Sequence, residues 1–540
     1  MNWWRNAVIY QIYLRSFADG DGDGIGDIAG IRSRLEYLTD LGVDALWINP
    51  WYPSPLQDAG YDVADYRDIA PVFGDLAQAE ELLAEAHSAG LRVLLDIVPN
   101  HCSDQHPWFA QALAAPIGSA ARDRFIFRSG RGPGGTEPPN DWRSQFGGPA
   151  WSRLPDGQWF LHLYAPEQPD FNWSNVEVRA DFEKTLRFWF DRGVDGFRID
   201  VAHGLIKADG LPDIGEIAWP PARTGSMADH PHWDRDEVHD VYRTWRQIAD
   251  SYPEPRVFVA EAWVHRPERL VRYVRPDELH TAFNFDFLLT GWTAETMRVA
   301  IDETLFSHRM VGAPPTWVLS NHDVAREVSR YARAQSATRL RHLDDLLGMP
   351  ADFTVGLRRA RAAALLMLAL PGSAYIYQGE ELGLPEVEDL PDDVLDDPKW
   401  AQSGHTSRGR DGCRVPLPWT GDTPPFGFGP PGSTPWLPQP PSWSELTAAR
   451  QVTDPGSTLT LYRAALRVRR SQLGLGEEHL EWLDSPAGVL YFGRPPGFSC
   501  LVNFSAVPVA LPGDAEVLLA SDELTADGRV PTDTAVWLAG

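Results

Sequence analysis

The chain of 540 residues is 43% hydrophobic and 23% charged, a balance typical of a folded globular protein and not of a disordered or fibrous one. Its 48 basic and 75 acidic residues give a net charge of −27, which repels nucleic acid and anionic lipid. No apolar run approaches the roughly 20 residues that cross a bilayer, and no signal peptide is recognisable. We therefore expect a cytoplasmic protein with no nucleic-acid partner and no membrane partner.

Eight short apolar runs alternate with amphipathic helical stretches along the chain. In order, these runs are VIYQIYL, ALWINP, RVLLDIVPNH, GFRIDV, VFVAEAW, TAFNF, TWVLSNHD and SAYIYQGEE. The stretches between them, such as LAQAEELLAEAHSAG, repeat apolar residues every three or four positions and end at glycine. A repeated order of strand and helix makes the strands parallel, and eight such units can close into a barrel. The pattern predicts an α/β protein built on a (β/α)8 TIM barrel.

The rest of the chain divides around this predicted barrel, which covers residues 1–101 and 171–477. Residues 102–170, after the third strand, are rich in proline, glycine and aromatic residues and are too many for a structureless loop, so they predict a small inserted domain. A proline-rich reach from Pro424 follows the eighth strand and suits neither a helix nor a central strand. Short alternating runs in residues 478–540 predict a C-terminal all-β sandwich domain.

Four of the predicted strands end in polar clusters, which a barrel gathers at one face. Arg198 and Asp200 in GFRID are two positions apart, so their side chains point to the same side and the guanidinium can keep the carboxylate ionised. Glu261 in VFVAEAW has apolar neighbours, which raise its pKa and keep it protonated. One ionised and one protonated carboxyl group are what a retaining glycosidase needs, with Asp200 as the nucleophile and Glu261 as the acid/base.

The clusters DIVPNH and NHD supply three further candidate residues for the active site. Asp323 can stabilise the positive charge that builds on an anomeric carbon, and His101 and His322 can donate hydrogen bonds to sugar hydroxyls. The 22 tryptophans also suit a carbohydrate ligand, because indole rings pack on the apolar faces of sugars. The sequence therefore predicts an enzyme whose partner is a small oligosaccharide substrate.

With all four motifs present and in order, the sequence resembles the α-amylase family of glycoside hydrolases (family 13). Within it, the closest resemblance is to the branch of oligo-1,6-glucosidases and α-glucosidases, and it covers essentially the whole chain. The resemblance implies the catalytic roles already assigned to Asp200, Glu261 and Asp323. It also implies that Arg198, His101 and His322 line the first glucose subsite.

The same resemblance adds residues from two other motifs. QDAGYD supplies Asp58 and Tyr61, and GRDGCRVPLPW supplies Arg410, although the latter departs from the RTPMQW wording usual in relatives. In the family, the aspartate and the arginine pair over the non-reducing end of the sugar and block the pocket. A blocked pocket accepts only chain ends, which implies removal of single glucose units.

The segment DGDGDGIGD places four carboxylates in nine residues, separated almost wholly by glycine. Alternating carboxylates and glycines can curl around a hard cation, which cancels their repulsion. Gly30 stands where an EF-hand has its bidentate glutamate, so the segment resembles instead the Ca²⁺ site in the first βα loop of this glucosidase branch. We expect a structural Ca²⁺, with Mg²⁺ as the alternative, and its ligands are Asp19, Asp21, Asp23, Asp27 and the main-chain carbonyl of Ile25.

The linkage that the enzyme cleaves depends on the residues after the nucleophile. In the resembling branch, a valine such as Val201 accompanies α-1,6 cleavage. The continuation DVAHGL, with His203 as a further substrate-binding residue, resembles instead bacterial α-glucosidases that act on maltose. We predict an exo-acting α-glucosidase that prefers α-1,4 links.

Three alternatives to this function stay open. One is an oligo-1,6-glucosidase that acts on isomaltose-type links. Another is a transglucosylase or a sucrose- or trehalose-type isomerase, because any acceptor hydroxyl can intercept the glucosyl-enzyme of a retaining mechanism. The third is a non-catalytic transporter-partner relative, which the complete set of catalytic carboxylates disfavours.

Overall fold

The computed structural model describes residues 2–215, 230–264, 266–335, 340–472, 479–513 and 515–539. Its strands are, in chain order, β1 (Val8–Ile12), β2 (Ala45–Ile48), β3 (Arg92–Ile97), β4 (Phe127–Ser129), β5 (Trp151–Arg153), β6 (Gln158–Leu161), β7 (Gly196–Ile199), β8 (Val257–Ala260), β9 (Thr281–Ala282), β10 (Thr316–Val318), β11 (Ser373–Tyr377), β12 (Glu481–Trp482), β13 (Val489–Arg494), β14 (Phe498–Asn503), β15 (Glu516–Ala520) and β16 (Thr534–Ala539).

The α-helices connect these strands on the outside. They are α1 (Ile28–Ser33), α2 (Leu35–Leu41), α3 (Leu76–Ser88), α4 (Pro107–Ala114), α5 (Ala120–Asp123), α6 (Val176–Phe190), α7 (Val238–Asp250), α8 (Pro267–Leu270), α9 (Phe285–Leu288), α10 (Ala294–Arg309), α11 (Glu327–Tyr331), α12 (Leu343–Leu346), α13 (Phe353–Ala369), α14 (Pro398–Gln402), α15 (Ala448–Val452) and α16 (Thr458–Gln472). In the described part of the chain, every helix is too short or too polar to cross a membrane.

Eight parallel strands form the predicted barrel, in the order β10, β11, β1, β2, β3, β7, β8, β9. Between the two ends of this order, the main-chain N–H of Asn284, after β9, donates to the carbonyl of Thr316 in β10 at 3.2 Å. This bond joins the last strand to the first, so the sheet curls into a nearly closed barrel. Each of the eight apolar runs contributes one strand, which confirms the predicted fold class.

Local chemistry explains why these elements form where they do. The residues of β1 and β2 are buried on both faces, which suits strands that lie between a packed interior and a layer of helices. Helix α3 begins at Asp75, whose side chain accepts the N–H of Gln78 while Gln78 bonds back, and it buries a stripe of alanine and leucine. Such capped amphipathic helices cover the outside of the barrel.

The region predicted as an inserted domain forms a small three-stranded antiparallel sheet in the order β4, β6, β5, with helices α4 and α5 beside it. Its core is aromatic, with the rings of Phe109 and Phe160 packed edge to face at 5.2 Å. The two ends of the region meet, because His101 and Asp170 form an antiparallel bridge. The insertion thus leaves the barrel and returns to it at one place beside β3.

The C-terminal strands form one antiparallel sheet in the order β12, β13, β14, β16, β15. One face packs on the barrel, where the indole N–H of Trp537 donates to the carbonyl of Leu365 in α13 at 3.0 Å. The C-terminal β domain is confirmed, but the predicted sandwich is a single sheet among the described residues. Its second face is covered by a loop layer that includes Val509 and Val530, and this layer replaces a second sheet. The predicted start of the domain, residue 478, lies outside the described residues.

Candidate active site

A cavity of about 770 Å³ opens where the barrel strands end. Its lining residues follow β3, β7, β8 and β10 directly or lie on the loops beside them. All the predicted catalytic and substrate-binding residues except Arg198 line it: Asp58, Tyr61, His101, Asp200, His203, Glu261, His322, Asp323 and Arg410. The barrel therefore brings residues from six widely separated motifs to one place.

Arg198 lies buried beneath this cavity and connects its carboxylates. One guanidinium nitrogen, Nη1, is 2.5 Å from the Asp200 carboxylate and 2.7 Å from that of Asp96, and Nη2 is 3.8 Å from Glu261. Asp96 also accepts a hydrogen bond from the Tyr61 hydroxyl at 2.9 Å. Asp96 belongs to the DIVPNH motif, yet the sequence assigned it no role. The structure makes it the group that positions Arg198 under the site.

The pKa values of the two central carboxyl groups are both raised. Burial raises the pKa of Glu261 above its ordinary value, which is the direction predicted for a proton donor, although Arg198 opposes it. Burial also raises the pKa of Asp200 well above its ordinary value, and the Glu261 carboxylate adds to the effect. Arg198 acts on the pKa of Asp200 in the predicted direction, but burial is the larger influence. The roles of the two groups rest on their positions.

Glu261 is also bound by the residue that follows the nucleophile. The main-chain N–H of Val201 donates to the Glu261 carboxylate at 2.7 Å. Val201 holds a φ of +46°, a left-handed conformation that costs a β-branched residue about 1–3 kcal/mol. The chain thus turns sharply after β7, and this turn points a main-chain donor at the candidate acid.

Asp323 is surrounded by cationic and imidazole groups. Its carboxylate lies 3.0 Å from Arg410, 3.2 Å from Arg414 and 3.4 Å from the imidazole of His322. Burial by itself would raise the pKa of Asp323, but these neighbours together hold it well below its usual range. These surroundings favour the ionised form of Asp323, which suits the predicted role as a stabiliser of positive charge.

His322 is held rigidly between two tyrosine rings. Its imidazole stacks on Tyr61, with ring centres 5.3 Å apart and planes 5° apart, and on Tyr13 at 5.8 Å. Its Nε2 is 2.8 Å from the Tyr61 hydroxyl, and its Nδ1 is 2.6 Å from the Gln11 amide. Burial lowers the pKa of His322 well below its usual value, so the ring is neutral.

Asp58 and Arg410 pair as the resemblance implied. The Arg410 guanidinium is 2.7 Å from the Asp58 carboxylate, and the two side chains are nearly buried. The Gln168 amide joins this pair to the next residue of the subsite, because its nitrogen is 3.2 Å from Asp58 and 3.1 Å from His101. Burial lowers the pKa of His101 to about 4. The ion pair spans the cavity wall between the barrel and the loop that follows β11.

Several site residues were not found from the sequence. Asp397 binds Arg410 at 2.5 Å, and Trp233 stacks on His203 with ring centres 4.7 Å apart. Neither Gln168, Asp397 nor Trp233 belongs to a motif quoted for the resemblance, so nothing in the sequence singled them out. Arg414 was detectable, since it lies in the GRDGCR stretch that supplied Arg410.

The acidic segment forms a loop after β1, away from the cavity. Oxygens of Asp19, Asp21 and Asp27 all lie within 4.8 Å of one another and could serve as ligands of one ion. Asp23 is outside this group and accepts the N–H of Ile25 at 2.8 Å. An oxygen-only donor set of this kind fits Ca²⁺ or Mg²⁺.

Main-chain donors also stabilise this acidic loop. Asp19 accepts the N–H groups of Gly22 at 2.6 Å and Gly24 at 3.0 Å. Asp27 accepts the N–H of Gly30 at 2.5 Å and caps α1. The proline-rich segment lies against the loop, because the N–H of Asp19 donates to the carbonyl of Phe428 at 2.8 Å. Within described residues 424–440, none lines the cavity, so this segment packs outside the pocket.

The family follows from comparison with known proteins. The model of the α-amylase catalytic domain matches residues 11–476, and a domain of unknown function (DUF3459) matches residues 494–537. The fold and the site thus define a glycoside hydrolase built on a TIM barrel. The chain belongs to the α-amylase family and is an enzyme.

Relatives named as glucosidases match over most of their length. A probable α-glucosidase of Rhizobium meliloti (strain 1021) is 37% identical over 523 residues, which cover 93% of this chain and 90% of the relative. An oligo-1,6-glucosidase of Parageobacillus thermoglucosidasius is 33% identical over 501 residues, covering 87% and 84%. Among solved structures, the α-glucosyl transfer enzyme XgtA matches with a TM-score of 0.85 and 34% identity over 100% of both chains. The trehalulose synthase MutB matches with a TM-score of 0.85 and 30% identity, again over 100% of both chains.

Proposed function

We propose that the protein is a retaining, exo-acting α-glucosidase that releases glucose from the non-reducing end of short α-glucosides. The observation that carries this proposal is the grouping of Asp200, Glu261 and Asp323 in one cavity, with the buried Arg198 next to Asp200 and Glu261. Three carboxyl groups with different surroundings supply a nucleophile, a proton donor and a charge stabiliser. This complete set also argues against a non-catalytic relative.

The geometry supports a two-step reaction. Glu261 donates a proton to the glycosidic oxygen while an oxygen of Asp200 bonds to the anomeric carbon, and the aglycone leaves as an alcohol. Glu261, now ionised, then takes a proton from water, whose oxygen replaces Asp200 and releases glucose with its configuration retained. Asp323, kept ionised by its arginines, stabilises the positive charge on the sugar in both transition states.

The pair of Asp58 and Arg410 supports exo action. Their contact at 2.7 Å closes the cavity next to His101, on the side where the glucose is held. A sugar chain cannot extend through a pair of buried, bonded side chains, so the pocket accepts one terminal glucose. Both partners also offer hydrogen bonds to the hydroxyls of that glucose.

For the linkage we propose that α-1,4 bonds are preferred. The support is the DVAHGL stretch, in which His203 stacks on Trp233 and both line the cavity. The names of the relatives include both α-glucosidase and oligo-1,6-glucosidase, so α-1,6 cleavage is the competing assignment. Transglucosylation is the second, because XgtA is named for glucosyl transfer and MutB as a synthase.

We further propose that the loop after β1 holds a structural Ca²⁺. Asp19, Asp21 and Asp27 would be its side-chain ligands, and Asp23 and the Ile25 carbonyl the remaining predicted ones. The ion would cancel the repulsion among the carboxylates and tie the loop to α1. We also propose a cytoplasmic location, which the three free, buried cysteines support.

The test is to incubate the enzyme separately with maltose, isomaltose, sucrose and trehalose, with the Asp200→Ala variant as the control, and to separate the products by chromatography over time. Glucose released from maltose ahead of isomaltose, and absent with the variant, supports the proposal. Isomaltose ahead of maltose would reverse the linkage. New di- or trisaccharides in excess of glucose would make the enzyme a transglucosylase. No variant-sensitive turnover of any sugar would refute the glucosidase itself.

The retaining step needs its own measurement. Proton NMR of the first product from 4-nitrophenyl α-glucoside, taken before mutarotation, should show α-glucose. If β-glucose appears first, the reaction inverts and Asp200 is not the nucleophile.

A further inference from the structure

Three cationic side chains line the cavity without taking part in the glucose subsite. They are Arg143, Arg341 and Lys399. Among the described residues, no carboxylate oxygen lies within 4.0 Å of their charged nitrogens, whereas Arg410 in the same cavity contacts three carboxylates. In a protein with a net charge of −27, cations in one pocket without a carboxylate partner among the described residues are unexpected. They favour a ligand that brings its own negative charge.

Arg341 lies on the same side of the cavity as the candidate acid. Its guanidinium stacks over the ring of Trp263 at 3.6 Å, and Trp263 stacks in turn on Phe285 with ring centres 3.8 Å apart. Trp263 is two residues after Glu261, and Arg341 acts on the Glu261 carboxylate electrostatically. Because the acid must face the glycosidic oxygen, Arg341 borders the space that the leaving group occupies.

Three carboxylates act on Arg341 electrostatically, those of Asp323, Glu261 and Asp345, and each is already bound by another donor group. Asp345 accepts the main-chain N–H groups of Arg341 and His342 at 2.9 and 2.8 Å and caps α12. In the part of the chain that the structure describes, the buried Nε of Arg341 has no hydrogen-bond acceptor. Such a donor is stabilised by an acceptor, so this guanidinium is prepared for one from a ligand.

Lys399, which lies on α14, is the second cation on this side of the cavity. Burial, together with the nearby Arg410 and Arg341, lowers the pKa of Lys399 to about 8. Asp397 and Asp344 oppose this shift, but Asp397 is bound by Arg410 and Asp344 accepts the Ser407 hydroxyl, both at 2.5 Å. The two cations therefore repel each other across the cavity, and an anion bound between them would relieve that repulsion.

We propose that the leaving-group side of this cavity recognises a compact oxyanion, so that α-glucosides with a carboxylate or phosphate on the aglycone are preferred over neutral ones. This inference rests on the proposed glucosidase function and adds the chemical class of the aglycone. The bond changes are those of the proposed reaction, since the anionic group only binds Arg341 and Lys399 and is released with the aglycone.

The test compares substrates that differ only in charge. One arm uses 4-carboxyphenyl α-glucoside against the neutral 4-carbamoylphenyl α-glucoside, in which the amide makes the better leaving group and so works against the inference. The other arm uses maltose phosphorylated at C6 of its reducing glucose against maltose, which distinguishes phosphate from carboxylate recognition. We expect kcat/KM for the anionic member to be about tenfold higher in at least one arm, equivalent to about 1.4 kcal/mol.

Variants then assign the preference to the two cations. In Arg341→Met and Lys399→Met the ratio of the two kcat/KM values should fall towards one, and in Lys184→Met, which alters an exposed lysine on α6, the ratio should stay as in the wild type. If a variant does not fold, the ratio is measured instead for the wild type at increasing salt concentration, where screening of the charges should lower it.

Two outcomes would overturn the inference in distinguishable ways. Cleavage of 4-nitrophenyl α-glucoside with no preference for either anionic substrate refutes anion recognition and leaves the glucosidase intact. No cleavage of any α-glucoside, including 4-nitrophenyl α-glucoside, refutes both. A preference that persists in both variants refutes the assignment to Arg341 and Lys399.

Discussion

The catalytic cavity and the acidic loop after β1 both concentrate carboxylates, but they stabilise them by different means. In the cavity, Asp200 and Asp58 are bound by the guanidinium groups of Arg198 and Arg410. In the loop, Asp19 and Asp27 accept main-chain N–H groups from glycines three to seven residues away. The cavity therefore stabilises its carboxylates with cationic side chains, whereas the loop stabilises its carboxylates with main-chain N–H dipoles.

This difference distinguishes the carboxylates that serve catalysis from those that stabilise the fold. Salt bridges in the cavity join residues far apart in the chain, such as Asp58 and Arg410, which are 352 positions apart. Together with burial, the charges in the cavity determine the pKa values of Asp200 and Asp323. The hydrogen bonds in the loop are local, and they determine how the chain leaves β1 and enters α1. Loss of a cavity pair should thus affect rate, and loss of a loop bond should affect stability.

The largest effect should come from the nucleophile. Asp200→Asn should lower kcat for 4-nitrophenyl α-glucoside by at least about 10³-fold, because no covalent intermediate can form. Asp209→Asn, which changes an exposed aspartate nearby in the chain, is the matched control and should leave kcat within about twofold. Equal activity of the Asp200→Asn variant and the wild type would show that another group attacks the sugar.

The second largest effect should come from the loss of Arg410, which contacts both Asp58 and Asp323. Arg410→Met leaves Asp58 and Asp323 without this cation, and we expect kcat/KM to fall about 10²-fold. Because Arg410 helps to hold the pKa of Asp323 low, that pKa should rise in the variant. Activity that needs ionised Asp323 should then be lost at a higher pH as the solution is acidified. The pH profile of kcat/KM measures this shift.

A surface ion pair provides the control for that variant. Arg131→Met breaks the exposed pair of Arg131 and Asp213 and should change neither kcat/KM nor its pH profile measurably. An acid limb that stays in place in Arg410→Met would show that Arg414 is enough to keep Asp323 ionised without Arg410.

Within the loop, a moderate loss of stability is expected. Asp27→Ala leaves the N–H groups of Gly20, Asp21 and Gly30 without their acceptor, and it should cost about 2–3 kcal/mol of unfolding free energy. Scanning calorimetry should show a melting temperature lower by about 2–3 °C with kcat/KM within about twofold of the wild type.

The exposed Asp23 offers the comparison inside the same loop. It accepts one N–H, that of Ile25, so Asp23→Ala should cost less than about 1 kcal/mol. If Asp23→Ala is as destabilising as Asp27→Ala, the number of main-chain hydrogen bonds does not explain how much each carboxylate stabilises the loop.

Removal of metal should have the smallest effect. Treatment with EDTA should lower the melting temperature by about 1–2 °C, and added Ca²⁺ should restore it better than Mg²⁺ does. In Asp21→Ala, which removes one of the three grouped carboxylates, EDTA should have no further effect. The same melting temperature before and after EDTA in the wild type would refute a structural ion.

The sequence by itself determined the eight strands, their parallel order, the C-terminal β domain and the motifs that line the cavity. It could do so because the spacing of apolar residues and the length of each apolar run are local properties of the sequence. In addition, every strand of a barrel ends at the same face of the barrel. The position of Asp200, Glu261 and Asp323 in one cavity follows from that geometry alone.

Only the tertiary structure decided the surroundings of these groups. Gln168 and Asp397 reach the site from an insertion and a long loop, whose paths no periodicity predicts. The single C-terminal sheet depends likewise on how the loops at Val509 and Val530 cover its outer face. The raised pKa of Asp200 sums burial and the charges of groups from several strands and loops. Electrostatic energy depends on distances and desolvation in space, and these are set only when the chain has packed.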